Sequence, residues 1–193
     1  MSLPAVKPAR AKPKPPVSTA TLRPQPATLQ LVVYPHPVLK RRAADVTQFD
    51  EWLPGVAARM KQVMIENKGV GLAAPQVGLA LRMFVWSPEG QLQETQVYVN
   101  PIFSQQNGEE EGEEGCLSLP DIRTKVMRFT KLHVDALDQF GHPISADLDG
   151  FPARIVQHEN DHLEGILLLD RMGPVAKLAN RKKIKEMEKK AGG

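Results

Sequence analysis

The 193-residue sequence contains one cysteine, Cys116, so no internal disulfide can form and the thiol itself needs a reason. Such usage fits a reducing compartment. No apolar run approaches the 18 residues of a membrane-spanning helix, and no apolar h-region of a secretory signal is present, so neither a membrane partner nor export is expected. Acid is missing from the first part of the chain: nothing before Asp45 offsets Lys7, Arg10, Lys12, Lys14, Arg23 and Lys40 to Arg42. Histidine is absent after His162. With a net charge of only +3, the uneven distribution bears on partners more than the sum does. The length suits one domain with a substantial core.

Residues 1–27 carry seven prolines among Ala, Ser, Thr and Lys, the composition of an extended, unpacked tail. Prolines this dense would break the amphipathic helix of an organellar transit peptide, so organellar import is the lesser alternative to a cytoplasmic location. Residues 28–190 are expected to form a single catalytic domain. Leu29 to Tyr34 reads as a strand running into Pro35, and Asp50 to Gly69 as a helix with Val56, Met60, Val63 and Met64 inward. Strands are expected over 81–86, 96–99, 131–138 and 143–148, with turns at 87–90 and 139–142. Runs of strands with short links favour antiparallel pairing. A further helix should start with Asp149 as N-cap, bury Phe151 and Ile155, and stop at Gly165. A basic helix over 174–190 closes the chain.

Within the first of these last two helices, Gln157-His158-Glu159-Asn160-Asp161-His162 places two imidazoles four residues apart on one face with a carboxylate beside them. A chance His-Glu-x-x-His in a chain of this composition is a roughly one-in-a-hundred event. The pattern is that of a hydrolytic metal site. Two other stretches exceed what folding requires. Gly69-Val70-Gly71-Leu72-Ala73-Ala74-Pro75-Gln76 combines small residues that allow close backbone approach with an amide donor, and Glu114-Gly115-Cys116-Leu117-Ser118 sets the thiol after a glycine.

Together the three stretches resemble the peptide deformylases, whose motifs occur here in the family's order and with similar spacing, over about residues 29–185. The resemblance implies an α+β fold, with antiparallel sheets packed around a central helix that carries His-Glu-x-x-His, and a C-terminal helix. It implies that Cys116, His158 and His162 hold one divalent metal, Fe(II) in cells, with Zn, Ni or Co able to replace it. It implies hydrolysis of the N-formyl group of formylmethionyl peptides, in which metal-generated hydroxide attacks and Glu159 serves as general base and then acid. Gln76 and the Leu117 backbone N–H would stabilise the oxyanion. Val70, Phe151 and Ile155 would receive the methionine side chain, with Gly71, Gly115 and Arg123 along the remaining substrate.

Some features fall outside that pattern. Glu109, Glu110, Glu111, Glu113 and Glu114 crowd before Cys116 and are expected mostly in a solvent-facing mobile loop, with a bias of the pocket against acidic peptides as the lesser alternative. Asn160 should point away from the metal. The basic last helix suits an RNA-rich surface such as the ribosome, through counterion release, without specific DNA binding. One rival reading is a zinc peptidase drawing a third ligand from Glu186 or Glu188. A closed structural metal site would need a fourth ligand, and no second cysteine supplies it. An inactive relative that binds formylated peptides is a third alternative.

Overall fold

Apolar side chains at helical spacing wind Trp52–Glu66 into α1, where Leu53, Val56, Met60 and Met64 are fully buried. The computed structural model describes residues 23–191; of the tail expected over residues 1–27, residues 1–22 lie outside the described residues. Its described part departs from the expectation of an unpacked segment: Arg23 to Thr28 is docked. Pro26–Thr28 forms a 3-10 turn, Trp52 Nε1 donates to the Pro24 carbonyl at 2.9 Å, and the Arg23 guanidinium lies over the Trp52 ring.

Five antiparallel strands follow in chain order: β1 (Gly71–Ala73), β2 (Met83–Trp86), β3 (Gln96–Cys116), β4 (Leu119–Leu137) and β5 (Pro143–Asp149). After them come α2 (Phe151–Leu163), the short α3 (Leu168–Arg171) and α4 (Pro174–Ala191). Every residue of β2 is buried because the sheet is covered on both faces. Met83 and Val85 face α1 along with Leu72, Val97 and Val99, while Phe84 and Trp86 face α2 along with Tyr98, Val134 and Val156. Burying a side chain such as Phe84 contributes about 1.5–3 kcal/mol. The sheet therefore fixes α2 at its centre. A third cluster joins Leu39, Leu119, Ile122 and Leu167 to Ile184 and Met187 of α4.

Four further expectations are corrected. Leu29 to Tyr34 is not a strand: Val32 N–H donates to Gln76 O at 2.8 Å and Tyr34 N–H to Ser118 O at 2.9 Å, so its bonds go to two different elements. The acidic run is no loop but part of β3, which runs to Cys116 and turns at Leu117–Ser118 into β4. Cations on the facing strand make this tolerable, with Lys125 3.3 Å from Glu111 and Arg123 3.5 Å from Glu113. The N-cap of α2 is Gly150 at φ 61°, a backbone setting that Asp149, paired instead with Lys131, would adopt only with strain. Finally, Phe151 is exposed and only Ile155 is buried.

Candidate metal centre

Helical spacing puts His158 and His162 of α2 on one face, and the two-residue turn between β3 and β4 brings Cys116 to meet them. Their ligand atoms all lie within 4.8 Å of one another. Cys116 Sγ and His162 Nε2 stand 3.3 Å apart, close to the about 3.5 Å expected for a sulfur and a nitrogen sharing one tetrahedral ion. Burial, with His158 and Arg128 nearby, holds the His162 pKa well below its usual value, leaving the neutral ring that a metal requires. At His158, burial opposes charge, but Cys116 and Glu114 outweigh it and raise the pKa. An ion bound there would displace that proton; the fit rests on the donor set, one sulfur and two ring nitrogens converging within reach of a single ion.

His158 is aimed by the buried Glu114, whose Oε2 lies 3.0 Å from Nδ1 and so leaves Nε2 for the cluster. Glu114 is itself gripped by Arg128 through two bonds of 3.0 and 2.9 Å and by Arg154 at 2.9 Å. Burial alone would raise its pKa, yet His158 and Arg128 bring it down to about 2. Of the acidic run it is the one buried member.

Glu159 is 3% exposed and its Oε2 has no partner among the described residues. Burial pushes its pKa up to about 7, a value suited to exchanging protons near neutrality. Space for its carboxylate exists because residue 71 is glycine: a Cβ there would overlap Glu159 Oε1 and lie 2.7 Å from Cδ. Gln76 is oriented by Ala73, whose N–H donates to Oε1 at 2.8 Å, leaving Nε2 3.5 Å from Cys116 Sγ. Leu117 N–H donates to no acceptor among the described residues.

These groups open into a cavity of about 730 Å³. Val70, Gly71, Gly115, Phe151 and Ile155 line it near the cluster, so the exposed Phe151 ring is a cavity wall, while Arg123 stands at the rim. Of the acidic run only Glu113 and Glu114 reach it. Asn160 faces a different cavity, as expected, and Glu188 accepts from Tyr34 OH at 2.7 Å in a third, so it supplies no ligand to the cluster. Sequence reading missed Arg128, Arg154 and Asp161, and it missed why Gln157 opens the motif. The Gln157 amide bonds both N–H and C=O of Phe129, pinning α2 to β4. Their signal was a set of charged and amide residues at positions that an amphipathic helix or strand would fill with apolar ones.

A thiol and two imidazoles beside a buried carboxylate, opening on a cleft in an α+β fold, are the features of a hydrolase of the single-metal class. The polypeptide deformylase family model matches residues 28–178. A peptide deformylase of Thermotoga neapolitana is 40% identical over 163 residues, 83% of this chain and 97% of the relative. A rice protein described as peptide deformylase 1B, chloroplastic, is 39% identical over 84% of this chain and 61% of its own length. The crystal structure of a Legionella pneumophila peptide deformylase superposes with a TM-score of 0.79 at 37% identity, covering 85% of this chain and 97% of that one. The chain belongs to the polypeptide deformylase family. It is a hydrolase that removes the N-formyl group from nascent polypeptides.

Proposed function

We propose that Cys116, His158 and His162 hold one divalent ion and that Glu159 is the proton-transferring residue of deformylation. The observation that carries this reading is the convergence of the three ligand atoms at a cleft that also contains the unpartnered, buried Glu159 carboxylate. A bound divalent ion acidifies water and polarises a carbonyl oxygen. Glu159 takes the proton of the attacking water and returns it to the leaving amine. Gln76 Nε2 and Leu117 N–H donate to the formyl oxygen as it gains charge. Val70, Phe151 and Ile155 enclose the methionine side chain. Gly71 and Gly115 present backbone to the extended peptide, and Arg123 meets its downstream end. Glu113 alone of the acidic run is left to disfavour acidic substrates.

The thiolate and imidazole donors suit Fe(II) or zinc. Fe(II) is the proposed physiological ion, which makes Cys116 a site of oxidative inactivation. Residues 28–190 act as one catalytic unit, in the cytoplasm of a bacterium. Lys177, Arg181 and Lys185, four residues apart on α4 and joined by Lys40 around one cavity, form the basic face offered to the ribosome. Truncation after Gly173 should abolish salt-dependent co-sedimentation with ribosomes, and unchanged co-sedimentation refutes that contact.

Formate release from a formyl-Met-Ala-Ser peptide by anaerobically prepared protein, with metal analysis, tests the central reading. Glu159→Gln should keep its metal and lose release by about 100-fold or more. A variant that retains full turnover removes Glu159 from the role.

A further inference from the structure

A line of alternating charges runs from the protein surface to His158. At its outer end Arg171, on α3, has a side chain 42% exposed and grips Asp161 with two bonds, Nε to Oδ2 at 3.0 Å and Nη2 to Oδ1 at 2.5 Å. Asp161 Oδ2 also accepts from Arg128 Nη1 at 2.7 Å. Arg128 forks onto both oxygens of Glu114, and Glu114 Oε2 meets His158 Nδ1 at 3.0 Å. Asp161, Arg128 and Glu114 are each under a tenth exposed.

Burying so many charges is costly, and apolar residues of similar volume would commonly stabilise as well or better. Their geometry offers something apolar packing lacks, because each two-pronged arginine contact fixes both position and rotation of a carboxylate. We propose that Arg171, Asp161 and Arg128 are positioning residues that hold Glu114 against His158, so that how long the centre keeps its ion is set from the surface at Arg171. This rests on the reading of Cys116, His158 and His162 as the ligands. Without Arg171, Asp161 keeps only Arg128 among the described residues, and the pull that Arg128 divides between Asp161 and Glu114 shifts toward Asp161. Arg154 still holds Glu114 Oε1 at 2.9 Å, so the effect belongs at the lower end of the 10- to 100-fold range for partners behind metal-binding histidines.

The test loads wild type, Arg171→Met, Arg171→Lys and Asp161→Asn with Co(II) and follows loss of its visible absorption into excess EDTA, alongside thermal melts. Release should be about tenfold faster in Arg171→Met, at least as fast in Asp161→Asn, and partly restored in Arg171→Lys. At saturating metal, KM for the formyl peptide should stay at the wild-type value. A lower melting temperature with wild-type release and an unchanged cobalt spectrum in Arg171→Met assigns the line to folding alone and overturns the proposal. Should Asp161→Asn fail to fold, the exposed Arg171 decides the matter. If Cys116→Ser holds cobalt as tightly as wild type, the ligand reading itself falls and takes the proposal with it. Tight wild-type binding with unaltered release in Arg171→Met removes the proposal alone.

Discussion

Residue 71 has no side chain because the Glu159 carboxylate occupies the place a methyl would take. Gly71→Ala should therefore displace the carboxylate and lower kcat by about 100-fold while bound metal, measured on the same preparation, stays stoichiometric. Gln76→Leu removes the proposed donor to the developing oxyanion as well as the acceptor for Ala73 N–H. Its kcat should fall by about 100- to 1,000-fold with a smaller change in KM, read by steady-state formate release. At this scale much was legible in advance. His158, Glu159 and His162 are local, and helical periodicity alone aligns them. Arg128, which binds carboxylates 14 and 33 positions away, could not be paired with them from the sequence, since contact across that separation depends on how the strands fold back. Phe151 misled because an apolar residue that lines a cleft looks, in sequence, the same as one that lines the core.

Among the elements, the turn from α2 to α3 depends on Gly165, at φ 73°, where a Cβ would come within 2.9 Å of the Lys40 carbonyl oxygen. Gly165→Ala combines left-handed strain with a backbone clash and should cost about 2 kcal/mol or more, seen as a lower midpoint in urea unfolding. α4 is fastened to the body by Tyr34 OH, which donates to Glu188, and burial together with that bond raises the Tyr34 pKa from 10.0 to about 12. The folded state thus favours the neutral phenol. Its contribution is complete below pH 10 and is lost as pH climbs from 10 to 12. The difference in tyrosinate absorbance between wild type and Tyr34→Phe should centre near the upper value, and Glu188→Gln should move it down. Helices α1, α2 and α4 were readable because their apolar or charged positions recur with one period. The β3–β4 hairpin was not, because glutamates have low strand propensity and the cations that offset them come from β4 both directly opposite, as Arg128 to Glu110, and diagonally, as Lys125 to Glu111 and Arg123 to Glu113. Leu29 to Tyr34 erred the other way, with strand composition but no neighbouring strand.

For the molecule as a whole, the cluster ties a hairpin turn to a central helix, so an ion bound there stabilises the fold by linkage. At about 100 times the Kd, added Zn(II) or Ni(II) should raise unfolding stability by about 2.7 kcal/mol over the chelated protein. Cys116→Ser should lose most of that increment in thermal melts. The sheet has a further consequence at this scale. β1 is an outer strand with one partner, β2, and an unpaired strand edge is a template for any extended chain, including another copy of the same protein. Only three residues long, wholly buried and followed at once by the Pro75 turn, it is too short to seed a growing fibre. With Ala73 N–H already given to Gln76, the edge offers little to another copy, and a substrate docked along it as proposed would be held by few backbone bonds and could leave.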